Sequence, residues 1–473
     1  MKLVDRMKDE ELGTAILYNF TKGYGRPVPL ELYDVVLPLL YHDFIREHVL
    51  TYTSLQECIY QCIQNEKHFK QHLLEKIEDD KTMTSKALGV AMIQHILKFE
   101  IVDTVMCGVA LPTDILDLNE AIWLGKLFQD VSLEDFMTLL KQEDTHIVVL
   151  QSASVGKDVD LSKIASLGQV TMYEDTKPSE IKGRILGADI VITNKNEMTK
   201  EVLEGLKHLK LICLFATGTN NVDLEYCRDH GIKVANVKDY STKTVAQHTL
   251  ALLMHLVEKN VAYDHFVKSK AYCQSQCFSY FDDVFHDVAS MTWGIVGLGH
   301  IGRQVAGIAK AMGAKVQYYS TSGQNATSDY QQVDFDTLLK TSDIISIHAP
   351  LNEKTHYLFN EEALRKMKPM AYLINVGRGG IIEEKALVKV LNEGHLAGVG
   401  LDVFEHEPLL EDDVLYSIQD MNKVIFTPHI AWGSIEARQR CVDEVYENIL
   451  AFLKGEERNM SSNFENVLKK VKH

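Results

Sequence analysis

One stretch constrains the folding of this 473-residue chain more than any other. Trp293 to Met312 reads WGIVGLGHIGRQVAGIAKAM, in which the apolar run Trp293–Val296 leads straight into Gly297-Leu298-Gly299-His300-Ile301-Gly302. Ile301, Val305, Ile308, Ala309 and Met312 then recur at helical spacing. Strand, glycine turn and helix in that order are what a dinucleotide-binding βα unit needs. Gly297 permits the tight turn, Gly299 lets a pyrophosphate approach the backbone, and Gly302 lets the helix sit close to the strand. The helix N-terminus offers unpaired N–H groups and a partial positive charge to phosphate. A glycine loop alone also occurs as a plain turn, but here both flanks fit.

A chain of this length exceeds one core, and two to four domains are expected. From Trp293 onward, apolar runs alternate with helical stretches: Lys315–Tyr319, Ile344–Ile347, Ala371–Asn375, Ala397–Leu401 and Val424–Phe426. These six strands suit a doubly wound α/β sheet. An earlier series, His146–Leu150, Val170–Tyr173, Ile190–Thr193, Leu211–Phe215 and Lys233–Ala235, predicts a second parallel sheet. The apolar helix Val245–Val257 lies between the series and is expected to pass from one domain to the other. The helix Ile435–Phe452 is expected to return to the first sheet, followed by a polar tail from Gly455.

Ahead of the polar break Lys141–Thr145, residues 1–143 read as an all-helical N-terminal domain. Ser54–Glu57 and Ser132–Asp135 carry helix-start signals, and no acid–base or metal constellation stands out. Cys58 and Cys62 lie on an apolar helix face and read as core cysteines rather than ligands. The formal charge of −17 argues against nucleic acid or an anionic membrane as partner. No apolar run is long enough for a bilayer, and Met1-Lys2-Leu3 leads directly into charged residues. The eight cysteines then read as cytosolic thiols.

Three loops at the C-terminal ends of expected strands carry chemistry. Asn375-Val376-Gly377-Arg378-Gly379-Gly380 presents an arginine, Asp402-Val403-Phe404-Glu405-His406-Glu407-Pro408 presents carboxylates, and Thr427-Pro428-His429 presents an imidazole. Together these suit reduction of a 2-oxo acid. An arginine fork grips a carboxylate or carbonyl, and a histidine gives a proton to the carbonyl oxygen as hydride arrives. A carboxylate keeps that histidine protonated and oriented. Taken singly, Arg378 could be a surface ion-pair residue, Glu405 and Glu407 a solvated loop, and His429 structural; their order after successive strands is what joins them. His348 reads as structural or cofactor-lining, Lys195 as a turn lysine or an extra carboxylate anchor, and Cys273/Cys277 lack further ligands for a metal.

From about His146 to Val467 the chain resembles the D-isomer-specific 2-hydroxyacid dehydrogenases, with glycerate dehydrogenases (hydroxypyruvate reductases) the nearest likeness. FATGTNNVDLEYCRDHGIKVANV, VAQHTLALLM, GIVGLGHIGR, SIHAPLNEKT, INVGRGGII, GLDVFEHEP and TPHIAW carry it. The resemblance implies a Rossmann NAD(P)-binding domain over 245–435 and a flavodoxin-like substrate domain over 144–244 and 436–465, with substrate entering a cleft between them. It implies a homodimer through the Rossmann domains. It makes Arg378, Glu407 and His429 catalytic, with Arg378 also binding substrate beside the backbone amides of Thr217-Gly218-Thr219. The implied cofactor set is Gly297, Gly299, His300, Ile301, Gly302, Ser320, Pro350 and Asp402, the last meeting the nicotinamide carboxamide. Leu17–Glu47 (LYNFTKGYGRPVPLELYDVVLPLLYHDFIRE) resembles the middle component of three-component ABC-ATPase systems, which leaves a protein partner through residues 1–143 open.

One position departs from the pattern. The second Rossmann strand ends at Tyr318-Tyr319-Ser320-Thr321-Ser322, with Ser320 where an aspartate usually holds the adenine ribose. Loss of the acid removes the repulsion of a 2′-phosphate, yet no lysine or arginine follows before Lys340 to attract one. NAD is favoured and NADP stays open. The expected activity is reduction of a hydroxypyruvate- or glyoxylate-like 2-oxo acid to a D-2-hydroxy acid. The other readings are an NAD(H)-sensing scaffold and an accessory component of an ATPase-linked assembly.

Overall fold

The computed structural model describes residues 10–461 except 67, 114, 130, 142–144 and 324–326. The domain boundary expected at 143–144, the domain end at 465 and the tail beyond 461 lie outside the described residues. The chain divides into two compact units, one running up to Lys238 and resuming at Gln439, the other Asp239–Arg438.

The first unit begins with helices. Glu10–Tyr24, Tyr33–Tyr41, Leu55–Asn65, Phe69–Ile93, Asn119–Leu127 and Leu133–Lys141 share a core that includes Leu17, Phe20, Leu37, Ile59, Phe128 and Phe136. Ser54 Oγ accepts from Glu57 N–H at 3.1 Å and Ser132 Oγ from Asp135 N–H at 3.0 Å, so both helix starts are capped. Cys58 and Cys62 are buried. Two helices meet backbone to backbone: a Cβ on Gly23 would lie 1.9 Å from Ile122 O, and one on Gly125 2.2 Å from Phe20 O. The helical expectation holds for the bulk of this region. The structure adds a small antiparallel sheet of β1 (Val28–Pro29), β2 (Leu97–Val102) and β3 (Val105–Ala110), in the order β1-β3-β2.

The same unit holds five parallel strands, β4 (His146–Val149), β5 (Gln169–Met172), β6 (Ile190–Thr193), β7 (Leu211–Leu214) and β8 (Lys233–Ala235), ordered β5-β4-β6-β7-β8. This is the flavodoxin-like order. β6 and β7 are buried throughout, as strands covered on both faces must be. From Gln439 the last helix, Ile435–Leu453, serves this unit: Gln439 Nε2 donates to Asp160 O at 3.1 Å and Asn448 Nδ2 to Asn236 O at 3.0 Å.

The second unit is a seven-stranded parallel sheet: β9 (Thr292–Val296), β10 (Lys315–Tyr319), β11 (Gln331–Gln332), β12 (Ile344–Ile347), β13 (Tyr372–Asn375), β14 (Gly398–Leu401) and β15 (Val424–Phe426). Their order is β11-β10-β9-β12-β13-β14-β15. The order reverses at β9, so the crevice beyond the ends of β9 and β12 is the ligand position of such sheets. The expected six strands are present, with two-residue β11 added at the edge. The helix Thr242–Glu258 does not cross between units as expected; it packs wholly in the second, where Leu252 and Leu256 join Trp293 and Ile374 in one core.

Candidate active site

The glycine loop after β9 is built for close approach. Gly297 sits at φ 89°, in the left-handed region, and a Cβ there would come within 3.0 Å of the Ala349 backbone. A Cβ on Gly302 would lie 2.1 Å from Gly297 O, so only glycine lets the helix His300–Ala311 start against the strand. Beside Gly299 the space is open, and no side chain caps the helix it begins. Uncapped amides and an open cradle fit a pyrophosphate. His300 Nδ1 lies 2.5 Å from Asp239 Oδ1, and Pro350 O accepts from Thr355 Oγ1 at 2.7 Å. His348 lies under this loop, its Nε2 2.9 Å from Ser346 Oγ, which also accepts from Trp293 Nε1. Burial pushes the His348 pKa down to about 3, so the ring is neutral.

At the end of β10, Ser320 Oγ accepts from Gly323 N–H at 3.0 Å and closes the turn. Replacing Ser320 by aspartate restores the ribose-binding acid and its repulsion of a 2′-phosphate. The ratio of kcat/KM for NADH to that for NADPH should rise at least about tenfold, read from initial rates with each cofactor.

Across the sheet, β13, β14 and β15 deliver the three expected loops within this one unit. Asn375, buried, shapes the first: its Oδ1 accepts from Gly377 N–H at 3.0 Å and its Nδ2 donates to Arg378 O at 2.9 Å. Arg378 is half-buried, and its guanidinium donates to Gly377 O at 2.8 Å. Among the described residues no carboxylate pairs with it. Gly379 packs on the second loop so closely that a Cβ would fall 1.9 Å from the Phe404 backbone. The arginine loop and the acidic loop are thereby fixed to each other.

In the third loop His429 has a left-handed backbone, φ 51°, a conformation that costs a non-glycine residue and needs outside support. Asp402, 1 % exposed, supplies it. Its Oδ1 accepts from Thr427 Oγ1 at 2.6 Å and Ile430 N–H at 2.8 Å, its Oδ2 from Ala431 N–H at 2.9 Å, and its backbone carbonyl from His429 N–H at 2.8 Å. His248, which the sequence did not single out, adds a ring nitrogen 3.0 Å from Thr427 Oγ1. His429 Nδ1–H then donates to Glu407 Oε2 at 2.6 Å, while Glu407 Oε1 accepts from Phe404 N–H. This fixes the tautomer and leaves Nε2 for chemistry.

The two glutamates of the acidic loop have different partners. Glu405 is committed elsewhere: Oε2 accepts from Tyr357 O–H at 2.9 Å and Oε1 from Glu384 N–H at 2.8 Å, and Glu405 N–H donates back to Glu384 Oε1 at 2.8 Å. Burial, opposed in part by the hydrogen bond from Glu405 N–H, pushes the Glu384 pKa up to about 7. The fold therefore holds that proton more tightly than the unfolded chain, and stability falls as pH rises from 4.5 through about 7. Glu384→Gln should be more stable than wild type by about 1–3 kcal/mol at pH 8. Urea midpoints at acid and alkaline pH check this, because the gain should vanish toward pH 4.5.

In the other unit, the turn Thr217-Gly218-Thr219 follows β7. Asn236 Nδ2 donates to Thr217 O at 2.6 Å and Thr217 Oγ1 to Val237 O at 2.7 Å, while none of the three amides donates a hydrogen bond among the described residues. Lys195 is exposed, its amide held by Gln151 Oε1. Cys273 and Cys277 are exposed thiols.

Comparison with known proteins places these features. The family described as "D-isomer specific 2-hydroxyacid dehydrogenase, NAD binding domain" matches residues 250–431. A glycerate dehydrogenase of Methylorubrum extorquens is 38% identical over 289 residues, covering 61% of this chain and 90% of that protein. The chain belongs to the D-isomer-specific 2-hydroxyacid dehydrogenase family. A hydroxypyruvate reductase of Blautia hydrogenotrophica is 34% identical over 320 residues, 66% of this chain and 98% of its own. Among solved structures, a D-lactate dehydrogenase from Aquifex aeolicus complexed with NAD and lactic acid shares 29% identity at a TM-score of 0.55, covering 66% of this chain and 96% of that one. The dehydrogenase is thus an NAD-dependent oxidoreductase of 2-hydroxy acids. Outside the dehydrogenase region, the family "ABC-three component (ABC-3C) system Middle Component 3" matches residues 11–141. No described helix is long and apolar enough to cross a membrane.

Proposed function

We propose that this dehydrogenase reduces a small 2-oxo acid of the hydroxypyruvate or glyoxylate type, with Arg378, Glu407 and His429 as its catalytic set. The observation that carries this is the 2.6 Å His429–Glu407 contact, on loops that Gly379 and Asp402 lock to the arginine loop. Arg378 grips the substrate carboxylate or carbonyl through its fork. His429 Nε2 donates a proton to the carbonyl oxygen, and Glu407 holds the ring in the donating orientation. The nicotinamide cofactor supplies the hydride when bound, and the amides after Gly297 are suited to hold its pyrophosphate, with Ser320 at its adenosine end. NADH is the preferred donor. Thr217-Gly218-Thr219 is a further candidate receiver for a carboxylate, because its amides need an acceptor.

The name of the Blautia relative supports hydroxypyruvate as substrate, and a glyoxylate reductase of Thermococcus litoralis, 38% identical over 305 residues, supports glyoxylate. Comparing kcat/KM for these two against pyruvate and a branched 2-oxo acid tests the preference; a branched acid as best substrate would overturn it.

The same reading places the protein in the cytosol, supported by its eight free cysteines, and makes it a homodimer through the Rossmann unit. Support for the dimer comes from the arm that follows helix Asn260–Lys268. Phe266 stacks on Tyr280 at 4.1 Å there, while Phe278 and Phe281 are left 87% and 76% exposed. A protein partner through residues 1–143 draws support from the match to a component of a multi-part system.

A further inference from the structure

The N-terminal sheet ends in an uncovered strand. β2 pairs with β3 on one side, and the order β1-β3-β2 leaves its other side at the sheet edge among the described residues. The register fixes which groups face that edge. Val102 and Val105 flank the two-residue turn Asp103-Thr104, whose φ angles are 48° and 73°, and such flanking residues exchange hydrogen bonds. Alternation makes Glu100–Cys107 and Lys98–Val109 the next bonded pairs. Leu111 N–H donates to Ile96 O at 2.9 Å and continues the same parity. The backbone N–H and C=O of Leu97, Phe99 and Ile101 therefore point away from β3.

The side chains follow the same period of two. Leu97, Phe99 and Ile101 share the core face with Met106 and Gly108, where a Cβ on Gly108 would meet the buried Tyr33. Leu97 is buried and Phe99 packs at the core margin, but Ile101 and Met106 run past it, 72% and 50% exposed. On the opposite face Lys98 Nζ lies 3.0 Å from Glu100 Oε2.

We propose that β2 is a self-recognition edge, to which a second copy of this chain adds its own β2 antiparallel and centred on Phe99. In that register Phe99 meets its own copy, and Leu97 and Ile101 meet each other twice. Those three residues are the ones whose backbone groups face outward, so the edge is satisfied without slippage. Lys98 falls opposite Glu100 at both non-hydrogen-bonded sites, where side chains approach most closely. Buried Leu97 of one copy extends the apolar face beside exposed Ile101 of the other. Centring on Lys98 or Glu100 instead would keep the backbone parity but set like charges opposite each other, Lys98 on Lys98 or Glu100 on Glu100. Among the registers that backbone parity allows, opposite charges and the apolar overhang thus select one two-fold register, and a copy of the same strand is the occupant that meets all three conditions.

The test is the sedimentation mass of the full chain at low salt, with dehydrogenase activity as the folding control. Ile101→Pro removes an outward N–H that β3 does not use, and should halve the wild-type mass. Lys98→Glu and Glu100→Lys each place like charges opposite one another and should run at the Ile101→Pro mass. Mixed in equal amounts, these two single variants should return to the wild-type mass, since each supplies the charges the other needs. Halving is counted from whatever the Rossmann units form, so it stands apart from the dimer proposed there. Equal masses for all the proteins, or charge variants that behave as wild type, would overturn self-pairing, and a foreign strand as the natural occupant would give the first of these results.

Discussion

His429→Ala should lower kcat for 2-oxo acid reduction by about 10³-fold while NADH affinity stays within about twofold. On the proposed mechanism the imidazole is the proton donor, and among the described residues neither nearby glutamate replaces it: Glu405 is bound to Tyr357 and Glu384, and Glu407 reaches the reaction only through the ring. Turnover by stopped flow and NADH titration by fluorescence separate the two effects. Wild-type turnover in the alanine variant would remove the general acid from the mechanism. The companion substitution Glu407→Gln keeps a group near Nδ1 but loses the charged acceptor that orients the ring, so kcat should fall about tenfold or more while NADH affinity holds. Glu405→Gln should leave kcat in place, because Glu405 faces Tyr357 and the Glu384 amide.

Arg378→Ala should cost about 10³-fold or more in kcat/KM, through both a higher KM and a lower kcat. The guanidinium donates to Gly377 O, and among the described residues no carboxylate competes with an incoming anion. Arg378→Lys should recover little, since an ammonium cannot reproduce two parallel donors at fixed spacing. Initial rates over a substrate series decide this. Full rescue by lysine would reduce the role to a point charge, and an unchanged KM in the alanine variant would take Arg378 off the substrate.

The two α/β sheets were legible because their strands are buried on both faces and read as continuous apolar runs, as at Ile190–Thr193 and Ile344–Ile347. The placement of Arg378, Glu407 and His429 in loops after β13, β14 and β15 was legible because each loop follows such a run. Gln331–Gln332 was not, being two polar residues at a sheet edge with no apolar period. The hairpin Leu97–Ala110 carried its alternation openly at Leu97, Phe99 and Ile101, but its Asp103-Thr104 turn lacks the glycine that marks such turns, and long helical stretches surround it. Asp402 was read as a cofactor residue, and the structure adds that its carboxylate holds the strained His429 loop; hydrogen bonds to backbone amides leave no trace in residue type. The same blindness hid His248 and the reciprocal Glu384–Glu405 pairing, which join residues far apart in sequence.

The catalytic claim is tested most directly by absorbance at 340 nm with NADH, hydroxypyruvate or glyoxylate, and the wild-type chain beside His429→Ala. Loss of NADH absorbance with wild type and a trace about 10³-fold slower with the variant is the predicted result. Tight NADH binding with no turnover of any 2-oxo acid would contradict it, and would leave the fold acting as a nicotinamide sensor.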